Sequence, residues 1–216
     1  ISIGKFGKII NLIKENKSKK VLFAGKIAKP KFSTLRLDLK GIYYMPSVIK
    51  AAKSGDAAII KAIIKILEKE KIKVISSNFF NPELSLKAKN YTKPKPNSKE
   101  IKSIKKGVLY FNQLNSLDHV QALIIKDEKV IATEGNQGTK KMLSKLKKGS
   151  AGILIKLPKK KQDLRMDLPT IGLNTLKDCK KYGVKGIVLK SKKNIFLDKE
   201  KCISFANKNK IFIKII

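Results

Sequence analysis

The stretch QALIIKDEKVIAT, residues 121–133, contains two short apolar runs separated by the polar residues KDEK. Runs of four or five aliphatic and β-branched residues favour strands, and a short polar connection between two such runs favours a hairpin. The sequence therefore predicts an antiparallel pair of strands shortly after the midpoint of the chain.

Helical and strand-like segments alternate on the C-terminal side of this hairpin. Apolar spacing, capping residues and glycines predict two helices there, over residues 138–147 and 174–182, the second ending at Gly183. The predicted strands cover residues 152–157, 186–190, 194–197 and 211–215. The second half of the chain is therefore expected to be a mixed α/β domain.

The first part of the chain shows the same alternation. Apolar residues from Ile3 to Ile13 recur at helical spacing, and the run 21–24 is typical of a strand. A strongly apolar helix is predicted to begin with Asp56 as its N-cap, and the run 73–77 is predicted to be the next strand. This pattern indicates a further α/β domain.

The segment YTKPKPNS, residues 91–98, separates the two halves. Its two prolines disfavour both a helix and an internal strand. We predict an N-terminal domain over residues 1–92, a linker over 93–98 and a C-terminal domain over 99–216. Asn97 and Glu100 have capping-box spacing, so the second domain should open with a helix through about Lys106.

The chain is strongly basic, with 50 Lys and Arg residues against 16 Asp and Glu residues among 216 and a formal net charge of +34. Such a charge favours a polyanion as partner, which includes nucleic acid, an anionic membrane or a phosphorylated small molecule. Only Arg36 and Arg165 are arginines, and aromatic residues make up 6% with no Trp. Because base readout and base stacking depend on arginine and aromatic side chains, we expect no specific nucleic acid, and most lysines to form a solvated surface.

Cellular location and processing can also be judged from composition. No run of eighteen uncharged apolar residues occurs, and Cys179 and Cys202 lack the spacing of a disulfide framework or a metal site. We therefore expect a cytosolic or peripheral protein with free thiols. Because the chain starts at Ile1 and not at Met, we also expect it to be a fragment or a trimmed chain.

The segment QDLRMDLPTIG, residues 162–172, is the strongest candidate for chemistry. Asp163, Arg165 and Asp167 alternate with apolar residues, which predicts an extended strand with the three charged side chains on one face. Two carboxylates can hold Mg²⁺ beside substrate phosphates, and a guanidinium can grip a phosphate through two donors. A purely structural ladder of charges fits the pattern equally well.

Other segments give weaker signals. EGNQGT at residues 134–139 could place backbone amides around a phosphate, although a plain turn is the favoured interpretation. His119 is the only histidine, which excludes a metal site built from histidines and favours a structural role. No phosphate-binding P-loop, dinucleotide, zinc or calcium motif occurs.

Several segments together resemble the bacterial UDP-2,3-diacylglucosamine pyrophosphatases of the LpxI type. The family signature K-x-x-K-x-x-Q-D-x-R-x-D-x-P-x-x-G is met between Lys156 and Gly172. Further blocks follow in family order, namely AGKIAKP at residues 24–30, a Gly-Asp pair before the apolar helix, LDHVQALII and TEGNQGT. Family chains begin with an additional strand and a Gly-Gly-x-Leu-Pro-like loop, and we expect that part to be missing from this chain.

The resemblance implies a Mg²⁺-dependent enzyme of lipid A biosynthesis that releases UMP and 2,3-diacylglucosamine 1-phosphate. It also implies two α/β domains and a peripheral position on the anionic cytoplasmic face of the inner membrane; an oligomer is possible. The expected catalytic residues are Asp163, Arg165 and Asp167, and the expected metal ligands are Asp163 and Asp167. The expected substrate-binding residues are Gly25, Lys26, Gln121, Gly138, Thr139, Lys156, Gln162 and Thr170. The alternative is a basic nucleic-acid-binding module without catalysis, suggested by the net charge alone.

Overall fold

The computed structural model describes residues 1–25, 31–114, 120–147, 149–159 and 162–216. These residues form two compact units. Unit 1 contains residues 1–79 and 163–167, and unit 2 contains residues 80–162 and 168–216. Each unit combines helices with at least one sheet, so the predicted α/β fold class is confirmed.

Unit 1 is a helical layer on a short parallel sheet. Strands β1 and β2 pair in parallel, with Lys20 opposite Lys73. The apolar sides of the helices form one core, in which Ile10, Ile64 and Ile72 are almost completely buried. The elements in chain order are α1 (Phe6–Glu15), β1 (Lys20–Val21), α2 (Leu39–Ala52), α3 (Asp56–Lys69) and β2 (Lys73–Val74).

Two features of unit 1 differ from the sequence analysis. Helix α2 was not predicted, because apolar residues occur on both of its sides and Pro46 lies inside it. The N-cap of α3 is Gly55 and not Asp56, which is the first residue of the helix. Gly55 has a φ of 103°, a backbone conformation that favours glycine, so the chain turns there before the helix begins.

Asp38 anchors the starts of two helices. Its Oδ1 accepts hydrogen bonds from the backbone N–H groups of Gly41 in α2 and Gly7 in α1, at 2.8 and 3.1 Å. Its Oδ2 accepts from the N–H of Lys8 at 2.9 Å. Burial raises the pKa of Asp38, but these backbone donors together outweigh it and hold the pKa below its usual value. One carboxylate thus satisfies donors that helix starts leave without a partner.

Glu70, directly after α3, connects the helices α1, α2 and α3. Its carboxylate accepts hydrogen bonds from Lys40 at 2.5 Å, Lys14 at 2.9 Å and the Tyr44 hydroxyl at 3.0 Å. The bond from Lys40, followed by that from Lys14, lowers the pKa of Glu70 to about 2 against the opposing effect of burial. Glu70 is therefore ionised at neutral pH and holds α1 and α2 against the end of α3.

Unit 2 is built around a five-stranded mixed sheet with the order β4-β3-β5-β7-β9. Strand β3 pairs antiparallel with β4 and β5, whereas β5, β7 and β9 are parallel to one another. The predicted hairpin is confirmed as β3 and β4. The elements are α4 (Ser98–Gln113), β3 (Ala122–Lys126), β4 (Lys129–Thr133), α5 (Gly138–Ser144), β5 (Ile153–Lys156), β6 (Thr170–Ile171), α6 (Leu173–Lys181), β7 (Gly186–Leu189), β8 (Ile195–Phe196), α7 (Lys199–Lys208) and β9 (Phe212–Ile215).

Both faces of the central strands β3, β5 and β7 are buried, whereas the edge strand β4 is partly exposed. One face packs against α5, α6 and α7, and the other face packs against α4. A Cβ at Gly107 of α4 would lie 2.4 Å from the Ile155 side chain, so glycine allows α4 to approach β5 closely. Within the described ranges, no helix is long and apolar enough to cross a membrane.

The predicted linker at residues 93–98 belongs to unit 2, and the chain passes from unit 1 to unit 2 at Phe79 and Phe80. The hydroxyl of Thr92 accepts from the N–H of Ile213 in β9, and the N–H of Lys93 donates to Asn207 Oδ1 in α7. Polar groups beside the prolines therefore hold this segment against β9 and α7. The predicted capping box of Asn97 and Glu100 is confirmed at the start of α4.

Candidate active site

Residues 163–167 form a turn and not the predicted strand. The N–H groups of Met166 and Asp167 both donate to the carbonyl of Asp163, at 3.2 and 3.0 Å. Asp163 Oδ1 also accepts from the N–H of Arg165, at 3.0 Å. Aspartate commonly bonds to the backbone two residues ahead and so competes with extended structure. The alternation of polar and apolar residues was therefore misleading here.

Within this turn, Arg165 joins two carboxylates. Its Nε and Nη2 donate to Oδ1 and Oδ2 of Asp163, at 3.0 and 2.8 Å, in a bidentate pair. Its Nη1 donates to Glu68 Oε1 of α3, at 2.7 Å. These bonds use three of the five N–H donors of the guanidinium. Glu68 thus takes the position beside Arg165 that the sequence analysis gave to Asp167.

The contacts between Asp163 and Arg165 shift the pKa values of both side chains. The hydrogen bonds from the Arg165 side chain lower the pKa of Asp163, in opposition to partial burial, and the positive charge of Lys61 lowers it further. Asp163 and Glu68 in turn raise the pKa of Arg165. The Asp163 side chain is 14% exposed and that of Arg165 is 40% exposed, so the guanidinium faces solvent more than its partner does.

The Asp163 carboxylate could hold Mg²⁺ in only one restricted way. The three bonds from Arg165 use three of about four lone-pair positions of the Asp163 carboxylate, which leaves room for a single metal bond through Oδ2. Mg²⁺ usually takes one or two protein carboxylates and completes its shell with water and phosphate. Among the described residues, no group of three or more His, Cys, Asp or Glu side chains could hold a metal by itself.

A second polar cluster lies in unit 2 around Glu134. This carboxylate is 6% exposed and accepts from the N–H of Gln121 at 2.9 Å and from the hydroxyl of Thr139 at 2.5 Å. The hydroxyl oxygen of Thr139 in turn accepts from Lys156 Nζ at 3.0 Å. The charges of Glu134 and Lys156 are therefore connected through one hydroxyl group.

This cluster lies at the carboxyl end of β5. Lys156 is the last residue of that strand and pairs with Ala122 at the start of β3. Ligands of α/β sheets commonly bind at the carboxyl ends of parallel strands. A groove of about 510 Å³ is lined by residues between 131 and 146, among them Thr133, Gly135 and Gly138. Gly138 has a φ of 79° and open space beside its Cα.

Two buried amide groups of unit 2 have donors without partners among the described residues. Gln162 is 8% exposed, and its Oε1 accepts from the N–H of Lys159 at 2.8 Å. Its Nε2, like the buried Nε2 of Gln121, has no hydrogen-bond acceptor among the described residues. A buried donor without a partner costs about 1–3 kcal/mol, which makes these two amides candidates for binding acceptor atoms of a ligand.

The remaining expected site residues are distributed as follows. Thr170 is exposed at the start of β6, and its hydroxyl donates to the carbonyl of Leu168 at 3.0 Å. Gly25 follows β1 with a φ of 98° and open space beside its Cα. Lys26 and His119 lie outside the described residues.

The expected site residues therefore fall into two groups. Unit 1 contains Gly25 and the turn with Asp163, Arg165 and Asp167, whereas unit 2 contains the other described substrate-binding residues. The chain leaves unit 2 after Gln162, contributes five residues to unit 1 and returns to unit 2 at Leu168. The signature segment thus belongs to both units.

Sequence reasoning missed Glu68 and Glu134 as members of these clusters. Glu68 is one of several charged residues on α3, and it is 97 residues away from Arg165 in the sequence. Glu134 stands in the quoted segment EGNQGT, but only its burial and its two donors distinguish it from a surface carboxylate. Its position directly after a predicted strand was the one signal that the sequence offered.

These features define an α/β protein of two units. Its charged signature turn, residues 163–167, stands in the sequence between two segments of the unit that contains the mixed sheet. A family model of the LpxI N-terminal domain matches residues 1–84, and a model of the LpxI C-terminal domain matches residues 87–214. The chain therefore belongs to the LpxI family. It is similar to the UDP-2,3-diacylglucosamine pyrophosphatase LpxI of Caulobacter vibrioides, with 30% identity over 99% of this chain and 80% of the relative.

Proposed function

We propose that the protein hydrolyses the pyrophosphate bond of UDP-2,3-diacylglucosamine to give UMP and 2,3-diacylglucosamine 1-phosphate, a step of lipid A biosynthesis. The observation that carries the proposal is the bidentate pair of Asp163 and Arg165 in the signature turn. The name of the Caulobacter relative supports the same substrate. A lysine-rich surface without such an ordered site would be enough for a nucleic-acid-binding module, so that alternative is not favoured.

The residues of unit 1 would act on the diphosphate. Asp163 and Asp167 are the proposed ligands of Mg²⁺, which would neutralise phosphate charge and lower the pKa of a bound water. Arg165 has two N–H donors beyond its three carboxylate bonds, and these could bind a phosphoryl oxygen. Attack of the water oxygen on phosphorus would break one P–O bond of the anhydride. The other phosphate would leave with the bonding electrons, and the protons of the water would pass to the product phosphates or to solvent.

The residues of unit 2 would bind and orient the substrate. Lys156 and Thr139 are held by the buried Glu134, so their positions are fixed before a ligand arrives. The unpartnered amide donors of Gln121 and Gln162 would bind acceptor oxygens of the substrate. Pre-positioned donors stabilise a transition state without reorganisation at the moment of reaction.

UMP release tests this proposal. The protein is incubated with UDP-2,3-diacylglucosamine in detergent micelles, with Mg²⁺ or with a chelator, and UMP is quantified by chromatography. We expect UMP only with Mg²⁺, and we expect Asp163→Asn to reduce turnover at least about a hundredfold. Asp127→Asn, in the exposed turn between β3 and β4, is the matched control and should keep full activity.

No UMP above a buffer control from the unmodified protein would refute the proposed reaction. Full activity in the presence of the chelator would refute only the role of Mg²⁺. Full activity of Asp163→Asn would remove Asp163 from the catalytic residues and leave the reaction in place.

We further propose that the protein works at the cytoplasmic face of the inner membrane. The substrate is a diacylated lipid, and the formal net charge of +34 favours an anionic leaflet, where each basic residue near the surface contributes about 1 kcal/mol. Flotation with anionic liposomes should therefore weaken as salt is raised. Binding to neutral liposomes with equal affinity would contradict this electrostatic attraction.

A further inference from the structure

One side of helix α2 exposes an apolar stripe to solvent. Leu39 is 86% exposed and Tyr43 is 75% exposed, while Ile42 and Ile49 are 58% and 41% exposed. At 100° per residue, these four residues and the exposed Pro46 lie within about one third of the helix circumference. We call these five residues the α2 stripe. The opposite side of the helix is buried in unit 1 and carries Gly41, Met45 and Val48.

Folding of unit 1 does not explain these side chains. A single exposed leucine or isoleucine is ordinary on a protein surface, but a continuous apolar stripe commonly marks an interaction site. Unit 1 already buries the other side of α2 against its own core. The α2 stripe therefore needs an occupant from outside the unit.

The charges near the α2 stripe are positive. Lys50 and Lys53 are exposed on the same side of the helix, toward its C-terminal end, and α2 contains no acidic residue. Two acidic groups that contact α2 are already engaged, because Asp38 accepts from backbone N–H groups and Glu70 accepts from Lys14, Lys40 and Tyr44. An apolar side with lysines at its end is typical of helices that lie in a membrane interface.

We propose that the α2 stripe docks onto an anionic lipid bilayer. Its apolar side chains would enter the boundary between headgroups and acyl chains, and Lys50 and Lys53 would pair with lipid phosphates. A second copy of the chain fits less well, because each copy has a formal net charge of +34 and both surfaces would be positive. This inference rests on the proposed function in one respect only, namely that a diacylated substrate resides in a membrane.

Vesicle binding by matched variants tests the proposal. Leu39→Gln with Ile42→Gln removes two apolar residues of the stripe without a change in charge. Leu109→Gln is the control, since Leu109 is 64% exposed on α4 in unit 2. With vesicles of phosphatidylcholine and roughly one third phosphatidylglycerol at moderate salt, we expect the double variant to bind at least tenfold more weakly and the control to bind within twofold of the unmodified protein.

Charge reversal provides a second measurement. Lys50→Glu with Lys53→Glu should weaken binding more than Lys102→Glu with Lys105→Glu, a pair of equal charge change on the exposed side of α4. Equal effects of the two pairs, or unchanged binding of Leu39→Gln with Ile42→Gln, would overturn the proposal. If sedimentation shows a dimer that this double variant dissociates while vesicle binding is unchanged, the stripe is a subunit interface and the proposal is wrong.

Hydrolysis of a short-chain, water-soluble analogue of the substrate separates this inference from the proposed function. We expect the double variant to keep full turnover of the analogue, because the α2 stripe contains none of the proposed catalytic residues. Vesicle binding without any UMP release from the unmodified protein would refute the enzyme and leave the docking surface in place. The opposite result would refute only the docking surface.

Discussion

Arg165 is held by Asp163 through two parallel hydrogen bonds and by Glu68 through a third. A lysine can carry the same charge, but its single ammonium group cannot reproduce the planar, two-pronged geometry. The scarcity of arginine in this chain is therefore informative. At this position the guanidinium makes contacts that lysine could not make.

Arg165→Lys should consequently keep the fold and lose activity. We expect turnover to fall about tenfold to a thousandfold, the range found when one oriented charge-stabilising donor is removed. UMP release at saturating substrate and Mg²⁺ measures the effect, and thermal unfolding checks the fold. Arg36→Lys replaces the only other arginine, which is exposed, and serves as the control. Unchanged turnover of Arg165→Lys, with an unchanged Tm, would mean that Arg165 is only one more positive charge.

Glu134→Gln tests the cluster of unit 2. The substituted amide has one acceptor oxygen and faces two donors, the N–H of Gln121 and the hydroxyl of Thr139, so one donor must lose its bond. We expect a loss of about 1–3 kcal/mol in unfolding free energy and a higher KM, since Thr139 no longer holds Lys156 in place. Glu128→Gln, on the exposed hairpin, should change neither quantity. A KM equal to that of the unmodified protein would restrict Glu134 to a structural role.

The pairing of Asp163 with Arg165 lay within reach of the sequence, because both residues stand in one short segment. The contact of Arg165 with Glu68 could not be predicted in this way. Glu68 meets Arg165 only after α3 has folded against the turn, and no local pattern records a contact between residues 97 positions apart. Local sequence therefore identified the reactive segment but not its complete set of charges.

At the scale of elements, capping residues and hydrophobic runs predicted most helices and strands of unit 2. The capping box of Asn97 and Glu100 and the hairpin of β3 and β4 follow from short-range rules. Helix α2 and the turn at residues 163–167 were not predicted by such short-range rules. In both, the apolar pattern is governed by something other than burial: the exposed stripe in α2 and the side-chain hydrogen bonds of Asp163 in the turn.

Asp38→Ala should destabilise both helices that begin at this carboxylate. The substitution leaves the N–H groups of Gly7, Lys8 and Gly41 without their acceptor. We expect a loss of about 2 kcal/mol in unfolding free energy, at the upper end for a capping residue because two helix starts are affected. Chemical denaturation measures this value, and Asp38→Asn should lie between the two proteins. Equal stability of Asp38→Ala and the unmodified protein would contradict the double cap.

Glu70 should make the stability of unit 1 depend on acid pH. Its pKa of about 2 in the folded protein lies below the ordinary value near 4.3, so its contribution is complete above the ordinary value and is lost as pH falls toward 2. Glu70→Gln should therefore lower Tm at pH 7, and the difference from the unmodified protein should shrink between about pH 4 and pH 2. The exposed Glu83→Gln should show no such dependence. A difference in Tm that stays constant over this interval would contradict the role of the Glu70 charge.

At the scale of the whole molecule, the charge of +34 should oppose folding through self-repulsion. Raising NaCl from about 20 mM to about 500 mM shortens the Debye length from roughly 20 Å to roughly 4 Å. We expect Tm to rise by a few degrees over this range, as measured by thermal unfolding. A neutral osmolyte at matched osmolality is the control for effects of water activity. A Tm that falls with NaCl would show that individual ion pairs outweigh the net repulsion.

The contribution of residues 163–167 to unit 1 has a consequence for the evolution of the gene. A gene cut between residues 84 and 87, where the two family domains meet, would encode a first fragment with Glu68 but without Asp163 and Arg165. Neither half could then be exchanged for a foreign domain without breaking the ion pair of Arg165 and Glu68 in unit 1. Recombination would have to preserve both halves together, so we expect them to be inherited and lost as one piece.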